Sequence, residues 1–578
     1  MTASAKNART DTMIEAMPLR LWPGVIIVAV QWFLRFVLPQ IAPDALPIGV
    51  MGGLGGGLLI LIWWVFFSRA SKADRWGGLV LIIVAMAVFS RLTHVSVSTG
   101  FLGMMFFIYT IPFFGLGLVL WAVSCGKQPQ ALRRATLIAA ILISCGGLTL
   151  VKTAGFSADG NSDFSWRWAE TAEDRLLTLA EEETTLAPSF ETVEDGPVWP
   201  GFRGENRDNI LHNLRIETDW STHPPVELWR RAVGPGWSSF SVHGNRFFTQ
   251  EQRGEEEMVS CYNATTGQPV WKHSDSARFW ESNAGAGPRG TPTLSGNAVY
   301  SLGGTGIVNA LNISDGSLIW TRNAASDTGA KLPGWAFSGS PLVVDDLVIV
   351  AASGALIAYD AQTGDLRWKG PAGGEAYCSP HLAIIQGTPQ ILHLSGDGIS
   401  SVSPTDGTVL WDHAWSGYPI VQPALTSEGD VLFSAERASG MRRLSLTTDS
   451  EGWKVEERWT STRMKPYFND FAIHKDHVYG FDGSIMACMD LADGGRKWKG
   501  GRYGNGQFLL LADQDLLLVL TEQGELALVK AIPDQFMEVA RVPAIEGRTW
   551  NHPVLAGDIL LVRNDKEMAA FRLPLASK

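Results

Sequence analysis

Residues 358–368, AYDAQTGDLRW, decide the fold, because the same eleven-residue phrase returns as CYNATTGQPVW at 261–271, ALNISDGSLIW at 310–320, SVSPTDGTVLW at 401–411 and CMDLADGGRKW at 488–498. In every copy a glycine stands four residues before a tryptophan: Gly267 and Trp271, Gly316 and Trp320, Gly364 and Trp368, Gly407 and Trp411, Gly494 and Trp498. Around the first phrase, LVIVAASGALIAYD at 347–360 reads as apolar strand leading into a turn. Thr or Asp before Gly marks a further turn, since glycine takes a left-handed backbone without steric cost. The short run up to the tryptophan is then an outer strand. A sheet of about four such strands has two apolar faces with nothing to cover them, and radial stacking of copies buries both. A period of 40 to 50 residues is the signature of such a ring or solenoid.

Three degenerate copies complete the count. WKVEERW ends at Trp459, FMEVARV carries Ala540 at the tryptophan position, and VELWRRAV places Trp229 ahead of the first full copy. The anchors 229, 271, 320, 368, 411, 459, 498 and 540 are separated by 42, 49, 48, 43, 48, 39 and 42 residues. Beyond the last, NHPVLAGDILLVRNDKEMAAFRL supplies three strands but no outer one. The strand around Trp229 is the missing fourth, so the expected fold is an all-β eight-bladed propeller closed by pairing its first strand with its last three. Eight blades within one chain predict a monomeric ring.

These phrases resemble the pyrroloquinoline quinone (PQQ) repeat, the tryptophan-docking blade of quinoprotein dehydrogenases and of the outer-membrane assembly propeller lipoprotein. The resemblance covers about 198 to 575, and WPGFRGENRDNI at 199–210 is similar to the start of bacterial PQQ-binding-like propellers. It describes a blade and does not by itself imply a bound cofactor.

The chain ahead of the propeller is of another kind. Five apolar stretches, Leu21 to Leu38, Ile48 to Phe67, Trp76 to Leu92, Phe101 to Val123 and Ala135 to Val151, approach the ~20 residues that cross a bilayer as a helix. Lys6, Arg9 and Arg20 precede the first; Arg69, Lys72 and Arg75 follow the second; Lys127, Arg133 and Arg134 follow the fourth. The loop PQIAPDALP after the first stretch has no basic residue. The positive-inside rule predicts a cytoplasmic N-terminus, and five crossings put the propeller in the periplasm, anchored to the inner membrane. The expected divisions are a cytoplasmic tail at 1–20, a five-helix transmembrane domain at 21–151, an acidic linker at 152–198 and the propeller at 199–578. Five spans before an eight-bladed propeller also resemble membrane-bound quinoprotein glucose dehydrogenase, which implies electron delivery to membrane quinone.

Arg35, Arg91 and His94 lie near the predicted outer face of the spans. Ionisable groups at membrane depth are functional candidates, while arginines near helix ends also reach the interface with their stems buried. Residues 155 to 198 hold eleven acidic side chains against Arg167 and Arg175. Within them FSWRWAETAEDRLLTLAEEE reads as an interfacial helix with Trp166, Trp168, Leu176, Leu177 and Leu179 on one face, while 181 to 198 reads equally as a disordered acidic spacer. A net charge of -11, concentrated in this linker, argues against nucleic-acid binding. Among the five cysteines no C-x-x-C-H occurs, which excludes a c-type haem.

A propeller offers a site at its axis. The innermost strands align on Ser239, Thr291, Ser340, Ser379, Gln422, Asp470, Gln507 and His552, a polar ring expected to face the channel. Two positions earlier come Trp237, Arg289, Tyr377, Phe468 and Trp550, and nearby loops add Trp335, Lys465, Tyr467 and Arg502. Flat rings with cations suit a planar anionic ligand such as PQQ. The resemblance to quinoprotein dehydrogenases implies calcium and an aspartate base beside that cofactor. Asn469 and Asp470 are the nearest candidates for the metal, with Asp470 the candidate base, although an Asn-Asp pair also serves as ordinary strand-end capping. Short blades without insertions leave no room for an elaborate pocket. The expected function is a membrane-anchored module that binds a ligand or an envelope protein; the alternative is a PQQ-dependent sugar or alcohol dehydrogenase.

Overall fold

The computed structural model describes residues 21–125, 128–157, 160–183, 196–436 and 438–576, without the side chains of 44 and 179–183. The expected cytoplasmic tail, Lys127, the Leu179 side chain and the acidic stretch 184–195 lie outside them. The chain forms two compact units, Met1–Ala169 and Glu170–Lys578.

Five helices of the first unit are long and apolar enough to cross a membrane: Trp22–Ile41, Leu46–Phe67, Lys72–Leu92, Met105–Cys125 and Gln130–Leu150. The third begins earlier than its apolar run because Ser71 caps it, accepting the Asp74 N–H. Asp74 is then held by Arg133 at 3.0 Å and Arg134 at 2.7 Å, which ties the third helix to the fifth. The fourth begins later, at Met105, since Phe101 and Leu102 take left-handed turn conformations.

The glycine-rich second helix has a specific use. Gln31 of the first helix donates from Nε2 to the Gly53 carbonyl at 2.7 Å. A Cβ on Gly56 would lie 2.6 Å from the Gln31 side chain, so only glycine leaves room for a buried amide there. Arg35 is also buried, its guanidinium over the rings of Phe36 and Tyr109 at 5.1 and 4.8 Å. Arg91 is exposed in the last turn of the third helix, and His94 caps the short helix Val95–Ser98.

Residues following the fifth helix differ from the sequence reading. Val151–Phe156 pairs with Ser162–Trp166 as an antiparallel hairpin inside the first unit, and Trp166 stacks on Trp168 at 5.3 Å, both exposed. The helix starts only at Ala172, where Thr171 and Asp174 exchange side-chain to backbone bonds as a capping box. The tryptophans therefore do not share its face. That helix is fixed to the first blade: Glu173 grips Arg278 with both carboxylate oxygens, at 2.7 and 2.9 Å, and accepts the Gly254 N–H, while Leu176 is buried.

The second unit is the eight-bladed ring, each blade a four-stranded antiparallel sheet. Val226–Ala232 pairs with Glu567–Arg572 and completes the last blade, as its three strands required. Two short extra strands, Val198–Trp199 and Ile210–Leu211, add to the first and seventh blades.

The repeated phrase works between blades. Trp271 lies on Gly316 of the next blade, where a Cβ would stand 2.4 Å from the indole, and the same relation joins Trp229 to Gly267, Trp320 to Gly364, Trp368 to Gly407 and Trp459 to Gly494. Each of these glycines also has φ between 67° and 75°. Each indole N–H donates to a carbonyl of the same neighbouring turn, for instance Trp320 to Ala361 at 2.9 Å and Trp368 to Pro404 at 3.0 Å. Trp411 faces the fifth blade, which lacks the phrase, and its indole bonds to Gln390 Oε1 at 2.7 Å instead.

Candidate functional site

The eight polar residues of the inner strands do not line an open channel. They turn sideways and join each blade to the next. Ser239 N–H donates to Thr291 Oγ1 at 3.0 Å, Thr291 N–H to Ser340 Oγ at 2.9 Å, and Ser340 N–H to Ser379 Oγ at 2.8 Å. In the orientation that satisfies both its ends, the Gln422 amide pairs with the backbone of Ser379, and Gln422 N–H donates to Asp470 Oδ1 at 2.6 Å. Gln507 Nε2 donates to the carbonyls of Phe468 and Trp550, and Ser239 Oγ donates to the His552 carbonyl at 2.7 Å. The result is a belt whose members are buried. Backbone donors at the crowded axis need partners, and no regular ladder supplies them.

The belt divides the axis into two ends. On the far side, after the belt residues in chain order, the segment 199–210 crosses the opening. Arg203 Nη2 donates to the Phe471 carbonyl at 2.9 Å, and its Nε stands 3.5 Å from Asp470 Oδ2. Arg207 donates to the carbonyls of Ser340 and Pro341 at 3.0 and 2.8 Å. Arg203, Arg207 and Asn209 all have positive φ, at 64°, 57° and 62°. His552 meets Phe202 edge-on at 4.9 Å, and its Nδ1 lies 3.3 Å from Asn209 Nδ2. Burial, with Arg203 adding to it, lowers the His552 pKa to about 3, so the ring is neutral and its 3.7 Å approach to Asp470 is not an ion pair.

These partners answer the calcium question. Calcium takes six to eight oxygen ligands. Asn469 Oδ1 already accepts the Tyr467 N–H at 3.0 Å, and the Asp470 carboxylate is shared between the Gln422 N–H and the Arg203 guanidinium. Burial raises the Asp470 pKa and Arg203 opposes it. A donor set in which a cation already occupies the carboxylate does not fit calcium, and no step is assigned to Asp470 as a base.

On the near side, before the belt, the predicted aromatic residues meet. Trp237 contacts Trp550 at 4.8 Å, Trp550 contacts Phe468 at 5.0 Å, Phe468 contacts Tyr467 at 5.0 Å, and Trp335 touches both Tyr467 at 6.4 Å and Tyr377 at 5.0 Å. Six rings thus form one continuous arc across the mouth. Arg548, absent from the sequence expectations, lies over Trp550 at 4.4 Å and Trp237 at 5.2 Å.

The polar edges of the arc are anchored. Trp550 Nε1 donates to Glu522 at 2.7 Å, Trp237 Nε1 donates to the Ala284 carbonyl, and the Tyr377 hydroxyl bonds to Glu375. Arg289 is half-buried and paired with Glu281 at 3.1 Å, so its charge already has a partner. Lys465 stands 3.7 Å from Asp482, and Arg502 is exposed at the end of the sixth blade's outer strand. Among the described residues no three His, Cys, Asp or Glu side chains gather as a metal site.

The fold and this mouth define a class, a closed propeller of tryptophan-docked blades with an aromatic funnel. Residues 255–500, less than half of the chain, match the family model described as Outer membrane protein assembly factor BamB. Outer membrane protein assembly factor BamB of Yersinia pestis is 28% identical over 163 residues, covering 27% of this chain and 38% of that protein. The namesake in Burkholderia pseudomallei is 24% identical over 369 residues, 58% of this chain and 88% of the relative. Polyvinylalcohol dehydrogenase of a Sphingopyxis species is 23% identical over 312 residues, 45% of this chain and 46% of that one. Among solved structures, BamB from Moraxella catarrhalis covers 60% of this chain and 97% of its own, with a TM-score of 0.44 at 13% identity. Quinohemoprotein alcohol dehydrogenase from Comamonas testosteroni covers 71% and 85%, with a TM-score of 0.49 at 11% identity.

Proposed function

We propose that the protein is a membrane-anchored propeller of the cell envelope that binds another protein at its aromatic mouth. The observation that carries this reading is the arc from Trp237 to Tyr377 with Arg548 laid on its rings. Half-buried aromatics with a stacked guanidinium make a surface of the kind that dominates protein recognition. The relatives named as assembly factors support the same reading. The basic residues around the candidate spans support an inside N-terminus and an outside propeller, in the periplasm where the cell has one.

The dehydrogenase reading draws on the flat rings, which suit a planar quinone, and on the likeness to polyvinylalcohol dehydrogenase. It is the weaker, because the residues around Asp470 do not fit the calcium that such a cofactor needs.

Photo-crosslinking tests the choice. A photoreactive residue at Tyr467 in intact cells is expected to capture an envelope protein, with capture reduced about tenfold by Arg548→Ala. A calorimetric titration with PQQ and calcium is expected to give no heat. Saturable PQQ uptake with reduction of an artificial acceptor would reverse the assignment.

A further inference from the structure

We propose that the closed end of the propeller axis holds a small inorganic monoanion of the chloride type, seated against the guanidinium of Arg207. This side chain is buried, and its Nη atoms donate only to the carbonyls of Ser340 and Pro341. Its Nε is buried without a partner. Among the described residues no carboxylate pairs with it. The charge that acts on it is the second guanidinium, Arg203, which is of the same sign. Asp470 stands by Arg203, and Asp208, which also feels Arg203, accepts the Ile210 N–H.

His381 adds a second vacant donor. Its Nδ1 is buried and unpartnered, and burial together with Arg207 and Arg203 lowers its pKa to about 3, so the ring is neutral. A neutral imidazole can carry its proton at Nδ1 and donate it. An isolated buried charge is costly, and backbone carbonyls satisfy its hydrogen bonds without cancelling it. Water would fill the vacant Nε–H site of Arg207 and leave its charge in place, whereas a halide accepts from that donor and cancels the charge.

Thermal unfolding of the full chain in detergent tests this, in sodium chloride against sodium gluconate at matched ionic strength. Chloride is expected to raise the midpoint saturably by roughly 2–4 °C. Arg207→Met is expected to abolish the difference, and His381→Phe to reduce it. Should Arg207→Met fail to fold, anomalous scattering from bromide-soaked crystals of the unaltered protein gives the same answer as a peak at hydrogen-bond distance from Arg207 Nε. Equal midpoints in the two salts, an increment retained in Arg207→Met, or no bromide at the axis would each overturn the proposal.

Discussion

Trp368 rests on Gly407 of the following blade so closely that a Cβ there would meet the indole at 2.5 Å, and the glycine has φ 74°. Two constraints thus fall on one position. Gly407→Ala is expected to cost about 2–4 kcal/mol, the sum of a left-handed alanine and an overpacked contact. Chemical denaturation of the full chain reads this directly. The same change at Gly429, whose added Cβ meets nothing, is expected to cost only the backbone part.

Arg203 and Asp470 are each almost fully enclosed. Removing one partner leaves the other charge buried alone, so Asp470→Asn is expected to destabilise by about 3–5 kcal/mol. Combining it with Arg203→Met should recover part of that loss. A double-mutant cycle by denaturant unfolding measures the coupling, and simple additivity would show that the pair does not act as a unit.

Glu257 in the first blade is buried, with Oε1 accepting the Gly304 N–H at 2.6 Å and Oε2 unpartnered. Burial first, and then the nearby Asp275, raise its pKa from 4.5 to about 7. A raised folded-state pKa means that the folded protein holds the proton more tightly than the unfolded chain. Its contribution is fully present below about pH 4.5 and is lost as pH rises through 7. Glu257→Gln is expected to flatten this fall, with a relative gain on the order of 3 kcal/mol at pH 9. Unfolding midpoints measured from pH 5 to 9 check it.

In the helical unit, Gly56 faces the Gln31 side chain. Gly56→Leu is expected to push the amide off the Gly53 carbonyl and separate the first two helices. The detergent-solubilised chain should then melt several degrees lower, while Gly55→Leu, where an added Cβ meets nothing, should leave it unchanged.

The number of blades was legible because Gly–x–x–x–Trp is a local phrase that survives in five copies. What the phrase does was not, since the glycine of one copy serves the tryptophan of the copy before it. The polar ring expected to face the axis bonds from blade to blade in the structure: strand alternation says which side a residue leaves, and not which neighbouring blade it meets. Nothing local marks Arg203 as a site residue, because its partner Phe471 lies 268 residues away. The available signal was the clustering of Gly204 and Asn209 around two arginines, residues that tolerate or accompany positive φ. The spacing of Trp166 and Trp168 from the leucines fits a helix. The alternation in SDFSW, paired with VKTAGF, prevailed.

Arg230 in the first strand of the ring contacts Glu567 across 337 intervening steps of sequence. Until the last strands have been made, the opening strand has no partner, and the seven blades between them form an arc with two raw edges. The order of manufacture therefore sets a window in which the nascent propeller is exposed to capture by chaperones and by sheet edges of other chains, and the window closes when Glu567–Arg572 pairs with Val226–Ala232.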